Sequence, residues 1–223
     1  MTTSLRAILT LAALVFLADT TVLLSADHAE PALEAGPALA KLKAGNERFV
    51  AEASSSSKPT RARREETAES QHPIAVIVGC SDSRTPPEII FDQNIGDLFV
   101  VRTAGEVVGD YALGSIEYAV EHLGARLIVV LGHERCGAVA AAIAGDNAPG
   151  HVGAIVRSIR PAVLAVRGES GDELVNAIKS NVDRVAKEIR GKAELGSLAE
   201  KVQVVEAYYD LDTGKVNWIE QGK

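Results

Sequence analysis

This chain of 223 residues has no excess of positive charge, no internal repeats and only two cysteines. Aspartate and glutamate number 30 against 23 lysines and arginines, so the net charge of -7 gives no electrostatic reason to expect a nucleic-acid partner. No segment repeats at the periods of solenoid proteins, which excludes that class. A hydrophobic content of 47% argues against a disordered chain. The length fits a single globular domain.

Long apolar runs are scarce too, and the one near the N-terminus is too short for a comfortable membrane span. One positive charge in residues 1–6 is followed by apolar or small residues through position 18, whereas a spanning helix needs roughly 20 apolar residues. This pattern is typical of a secretory signal. We therefore predict a signal peptide over residues 1–26, a mature domain over 27–223, export to the periplasm and no stable span after processing. A retained N-terminal membrane anchor is the alternative, because Leu24 stands where a cleavage site usually has a small residue.

Strand and helix patterns alternate along the rest of the chain. Continuous apolar runs predict buried strands at 74–78, 98–101 and 127–131, and a hairpin from 202–210 and 216–219. Helical spacing predicts helices at 37–53, 111–123, 137–143, 152–166 and 172–189, with a solvated connection over 54–69. The interleaving predicts an α/β fold, in which a mainly parallel central β-sheet is flanked by helices and preceded by an N-terminal helical arm at about 37–53.

The only two cysteines, Cys80 and Cys136, each lie shortly after a predicted strand, and His133 lies three residues before Cys136. Sites in parallel sheets form beyond the carboxyl ends of the strands, so these residues can converge. Two thiols and an imidazole suit a catalytic zinc ion that keeps a fourth position for water. A disulfide is the alternative for a cysteine pair in an exported protein, but it explains neither the histidine nor the charged residues near Cys80. We predict one zinc ion per chain.

Asp82 and Arg84 alternate with Cys80 at a spacing of two. A guanidinium beside a carboxylate keeps it ionised and holds it in one orientation. Two thiolates and a neutral histidine leave zinc formally uncharged, so it needs local help to make hydroxide near neutral pH. We interpret Asp82 as the acceptor of the hydroxide proton, which aims the oxygen at an electrophile. An ordinary loop ion pair is the alternative.

The segments GCSDSRTPPEIIFDQNIGDLFVVRTAGE and GSIEYAVEHLGARLIVVLGHERCGAV resemble β-class carbonic anhydrases, from about residue 38 to the C-terminus. The resemblance implies reversible hydration of carbon dioxide to bicarbonate and a proton through a zinc-bound hydroxide, in homodimers or higher homo-oligomers. The implied site residues are Cys80, His133 and Cys136 for the metal and Asp82 with Arg84 for catalysis. We expect the amphipathic N-terminal helix to cover a partner subunit.

Further matches favour the plant-like branch of that family. The implied substrate-binding residues are Gln71, Phe99, Tyr118 and Gly137. Gln71 stands where those members bind substrate across the dimer interface, and His122 matches a position proposed for proton transfer. Ile77 stands where the bicarbonate-regulated bacterial branch has tryptophan, so that inhibitory site is expected to be missing. Simple core packing for Phe99 and Tyr118, and a structural role for His122, are the alternatives.

Two positions depart from the family pattern. Thr85 replaces the common valine, and Glu106 stands where asparagine is frequent.

Two other functions stay open. The same zinc site could instead hydrolyse carbon disulfide or carbonyl sulfide, since relatives with that activity share the ligands. A non-enzymatic disulfide-bonded or zinc-storing module is the other alternative. The intact Asp82–Arg84 pair argues against storage, because storage needs no aimed hydroxide.

Overall fold

The computed structural model describes residues 33–55, 59–145, 148–193 and 200–220, so the predicted signal peptide lies outside the described residues. The helices are α1 (Ala35–Val50), α2 (Arg61–Glu66), α3 (Pro87–Ile90), α4 (Asp110–Glu121), α5 (Gly137–Ala144), α6 (Val152–Ala165) and α7 (Glu173–Lys192), with a 3-10 turn at Ala104–Glu106. The strands are β1 (Ala75–Cys80), β2 (Leu98–Thr103), β3 (Leu127–His133), β4 (Gln203–Tyr209) and β5 (Val216–Ile219).

The strands form one sheet in the order β2-β1-β3-β4-β5. Neighbours among β2, β1, β3 and β4 pair in parallel, and only β5 runs antiparallel, against β4. Every residue of the two central strands β1 and β3 is buried, as their continuous apolar sequences predicted. The α/β fold with a mainly parallel central sheet is therefore confirmed.

Helices cover both faces of this sheet. Alternate residues of β1 enter different cores, so that Val76 packs on the face covered by α4 and α7, and Ile77 on the face covered by α1 and α3. A third cluster joins α5 and α6 around Cys80 and Cys136 at the carboxyl edge. The two cysteines thus lie in apolar packing rather than in an open loop.

Gly132 lets α7 approach the strand that ends at His133. A Cβ atom at this position would lie 2.5 Å from Cγ2 of Val182 and 3.1 Å from Cγ2 of Ile178. Because any side chain here would push α7 outward, glycine sets the distance between this helix and β3. That close contact places α7 directly behind the strand end.

Several sequence expectations need correction. The predicted connection over 54–69 contains the helix α2, because Thr60 caps it by accepting a hydrogen bond from the Arg63 amide at 3.1 Å. The arm α1 covers its own chain: Ala38 and Leu42 are fully buried in the core that includes β1 and β3.

Among the described helices, none is both long and apolar enough to cross a membrane.

Candidate metal centre

Cys80, His133 and Cys136 meet at the carboxyl edge of the sheet. Cys80 is the last residue of β1, His133 is the last residue of β3, and Cys136 precedes α5. Their ligand atoms all lie within 4.8 Å of one another, and all three residues are buried. The parallel pairing of β1 with β3 brings the two strand ends side by side although they are far apart in sequence.

The imidazole of His133 is oriented for a metal ion. Nδ1 lies 2.9 Å from the carbonyl oxygen of Glu134, which directs its proton to that oxygen and leaves Nε2 as the free base. Nε2 is buried and has no hydrogen-bond partner among the residues that the structure describes. A buried polar atom without a partner is costly, so this nitrogen and the two sulfurs fit a soft divalent metal.

Both cysteines are free thiols, which contradicts the disulfide alternative. The hydrogen bond between their side chains lowers the pKa of Cys80 and raises that of Cys136, which burial raises further. A metal ion that binds both sulfurs needs both as thiolates, so its binding releases the remaining thiol proton.

Asp82 is held by Arg84 through three hydrogen bonds. Nε and Nη2 of Arg84 donate to the two carboxylate oxygens at 2.9 and 2.7 Å, and the Arg84 amide donates at 3.0 Å. This side-chain contact lowers the pKa of Asp82 well below its usual range. One carboxylate oxygen lies 3.9 Å from Nε2 of His133. An ionised acceptor therefore stands beside the three ligand atoms.

Two residues that sequence reasoning left without a role hold this loop in place. Arg102 on β2 donates to the carbonyl oxygens of Cys80 at 2.8 Å and Asp82 at 2.5 Å. Thr85, noted only as a departure from the family pattern, is buried and donates to the carbonyl oxygen of Asp82 at 2.9 Å. A hydroxyl in place of valine thus adds a hydrogen bond within the loop. The identity of Arg102 carried no signal, because its partners lie about twenty residues away.

The sulfur of Cys80 has a backbone partner as well. The amide of Gly105 donates to it at 3.2 Å. Gly105 has a φ of +67°, and a Cβ atom there would lie 2.6 Å from Cδ1 of Ile159. Both the backbone conformation and the close packing therefore require glycine at this position.

The other predicted site residues lie elsewhere in the chain. Gln71 is exposed and precedes the start of β1, whereas Cys80 ends it, so roughly 15 Å of strand separates them. Phe99 lies near the start of β2, with its ring 6.3 Å from that of Tyr118, which in turn lies 5.0 Å from the ring of His122. Within one chain these four residues do not join the metal cluster.

Gly137 does lie beside the cluster. It is the first residue of α5, directly after Cys136. A Cβ atom at Gly137 would meet no atom within 4 Å. The space that a side chain would occupy at Gly137 is therefore open.

Comparisons of sequence and of structure both find carbonic anhydrases. A sequence profile of the family described as carbonic anhydrase matches residues 75–216. Carbonic anhydrase 2 of Mycobacterium tuberculosis is 43% identical over 189 residues, which cover 78% of this chain and 87% of that protein. The β-carbonic anhydrase CafA of Aspergillus fumigatus superposes with a TM-score of 0.66 at 29% identity, covering 84% of this chain and 91% of CafA. A chain from one of two structures described as tetrameric β-carbonic anhydrases of Sordaria macrospora shares the fold, with a TM-score of 0.63 at 24% identity, covering 73% of this chain and 91% of that one.

The first prediction concerns the ligand set. Cys136→Ser replaces a soft sulfur by a neutral hydroxyl, so we expect metal affinity to fall by more than about 100-fold. Metal content after dialysis, measured by mass spectrometry, checks this. Ser83→Ala, at an exposed serine of the neighbouring loop, is the control and should keep its metal. A Cys136→Ser protein with one tightly bound metal ion per chain would contradict the assignment.

Proposed function

This chain belongs to the β class of the carbonic anhydrase family, and from that premise we propose that it hydrates carbon dioxide reversibly at one zinc ion per chain. The observation that carries the proposal is the buried cluster of two free thiols and an unpartnered imidazole nitrogen within 4.8 Å. Cys80, His133 and Cys136 would hold the ion. Two thiolates and an imidazole are a ligand set that zinc accepts while one position stays open.

Zinc, when bound, lowers the pKa of a water molecule on it and so supplies a nucleophile near neutral pH. The protein residues then determine where that nucleophile points. Asp82 is ionised because Arg84 lowers its pKa, so its free lone pairs would accept a hydrogen bond from a water molecule held at the ion. Arg84 fixes the carboxylate plane through its two parallel hydrogen bonds. In this proposal Asp82 is the catalytic acceptor, and Arg84 holds its orientation and charge.

We further propose the plant-like mode of substrate binding, in which a second copy of the chain completes each site. Gln71 precedes β1, Phe99 lies near the start of β2, and Tyr118 contacts Phe99, so all three lie away from the carboxyl edge that holds the cluster of their own chain. Tyr118 is 48% exposed and Tyr111, on the same helix, is 95% exposed. Exposed aromatic side chains of this size are typical of a surface that meets another subunit. The tetrameric assembly of the Sordaria enzymes supports the same proposal.

In the proposed dimer, Gln71 and the Phe99–Tyr118 pair would line the partner's pocket, opposite the Gly137 amide. The ring of His122 lies at the C-terminal end of α4, tilted against that of Tyr118. From there it would face the same interface and could pass protons to solvent. The arrangement keeps the expectation that Gln71 binds substrate across the dimer interface.

We also propose that residues 1–26 direct export to the periplasm and are then removed. The support is the short charged start followed by a short apolar run. N-terminal sequencing of protein purified from the periplasm should begin at residue 27. An intact N-terminus in a membrane fraction would favour the anchored alternative.

Asp82→Asn separates catalysis from metal binding. Asparagine cannot carry the charge that Arg84 neutralises, and its amide can donate where an acceptor is needed. We expect about one zinc ion per chain to be retained and carbon dioxide hydration to slow by about 100-fold or more. Stopped-flow hydration assays and zinc analysis on the same sample check this.

Asp183→Asn is the control, since Asp183 pairs with Lys187 on the exposed surface of α7, outside the loops that carry the ligands. It should keep the wild-type rate. Wild-type hydration by zinc-loaded Asp82→Asn would show that Asp82 is a structural loop carboxylate. The same assays with carbonyl sulfide and carbon disulfide distinguish the alternative substrates. Faster turnover of either one than of carbon dioxide would overturn the proposed substrate.

A complementation experiment tests the shared site. Gln71→Ala and Cys136→Ser should each have little activity as separate proteins. In a mixed dimer, the intact metal ligands of one chain meet the intact Gln71 of the other. Random exchange between equal amounts should therefore restore about a quarter of the wild-type activity, since half of the dimers are mixed and each has one complete site. Failure of coexpressed chains to regain activity, or a fully active monomer by light scattering, would contradict the shared site.

A further inference from the structure

A buried polar cluster lies behind the metal centre and has no part in the proposed chemistry. Glu106 is the last residue of the 3-10 turn, and Asn181 lies on α7. Glu106 is 1% exposed to solvent and Asn181 is 0% exposed. Arg184, one turn further along α7, joins them. Burying polar side chains costs free energy of folding unless their polar groups form hydrogen bonds, so buried clusters of this kind usually have a structural or functional role.

Asn181 connects α7 to the turn that contacts the Cys80 sulfur. Its Nδ2 donates both to the carbonyl oxygen of Gly105 and to Oε1 of Glu106, each at 2.9 Å. Gly105 in turn donates its amide to the sulfur of Cys80 at 3.2 Å. A single side-chain amide on α7 therefore holds the residue whose backbone touches the sulfur.

Arg184 fixes the direction in which the Asn181 amide points. Its Nε and Nη2 both donate to Oδ1 of Asn181 at 3.2 Å, and its Nη1 donates to Glu188 at 2.7 Å. Arginine has only donors, so the Asn181 oxygen must face Arg184. The Asn181 amino group must then face the turn. The orientation of the amide follows from this hydrogen-bond network.

The turn itself adopts a backbone conformation that needs support. Gly105 has a φ of +67° and Glu106 a φ of +42°. A residue with a long side chain rarely adopts the left-handed region, and such strain persists only where the surroundings enforce it. The two hydrogen bonds from Asn181 supply that restraint on both residues.

We propose that Asn181 and Glu106 are positioning residues of the metal centre, which hold the Gly105 amide against the Cys80 sulfur and so limit the charge that this sulfur donates to the metal. The inference rests on the proposed function, because it takes Cys80 to be a metal ligand. A hydrogen bond to a ligating sulfur withdraws electron density from it. In a site with two thiolates this raises the ability of the metal to polarise water.

Asn181→Asp tests the inference, because aspartate keeps the shape and the contacts with Arg184 but cannot donate to the turn. The probe is cobalt(II) loaded in place of zinc, whose sulfur-to-metal charge-transfer band reports how strongly the thiolates donate. We expect this band to move to lower energy in Asn181→Asp.

Two further variants separate positioning from packing. Glu106→Gln keeps an oxygen that can accept from Asn181, and burial already raises the pKa of Glu106 to about 7, so we expect a band close to that of the wild type. Val185→Ala, also buried on α7, should lower stability without moving the band. Should Asn181→Asp fail to fold, Arg184→Met removes the groups that orient Asn181 and should move the band in the same direction.

The outcomes are distinct. An unchanged band in fully loaded Asn181→Asp, or an equal shift in Val185→Ala, would overturn the inference while leaving the proposed function intact. A shift in Glu106→Gln as large as that in Asn181→Asp would overturn the positioning role of Glu106. A wild-type protein without any sulfur-to-cobalt band would instead remove the proposed function, and this inference with it.

Discussion

The parallel pairing of β1 with β3 is the constraint on which the rest of the site depends. Their register places Gly79 opposite Leu131, so β1 ends at Cys80 only one residue before β3 ends at His133. Cys80 and His133 then emerge side by side, and the short loop after β3 returns Cys136 to the same point. A slip of one residue would turn every side chain of a strand to the other face of the sheet, so the geometry of the cluster depends on this register.

Around that junction, each group that touches the ligands is itself held by something rigid. Arg84 holds Asp82, and Arg102 holds the carbonyl oxygens of the loop that carries it. Gly105 contacts one sulfur, and its position depends on α7. Preorganised contacts of this kind cost no reorganisation during the reaction, which is the usual source of electrostatic catalysis. Gly132 matters for the same reason, since it lets α7 approach close enough to act.

The sequence predicted the sheet and the ligand cluster because both follow from local patterns. Apolar runs marked β1 and β3, and the cysteines and histidine lie at their ends. It did not predict the hydrogen bonds of Arg102 or Asn181, whose partners lie about 20 and 76 positions away. Asn181 did carry a weak signal, as a polar residue within the apolar stripe of α7 that includes Val182 and Val185. The surface covered by α1 depended on tertiary packing, which an amphipathic pattern alone does not identify.

The central claim is that two sulfurs and one imidazole nitrogen of a single chain hold the zinc of a carbonic anhydrase. X-ray absorption at the zinc edge of the purified protein tests it most directly, because it counts sulfur and nitrogen neighbours and measures their distances. The account predicts two sulfur ligands at about 2.3 Å together with one imidazole nitrogen at about 2.0 Å and one further light atom. A zinc ion without sulfur ligands, or a zinc-free protein that hydrates carbon dioxide at full rate, would contradict it.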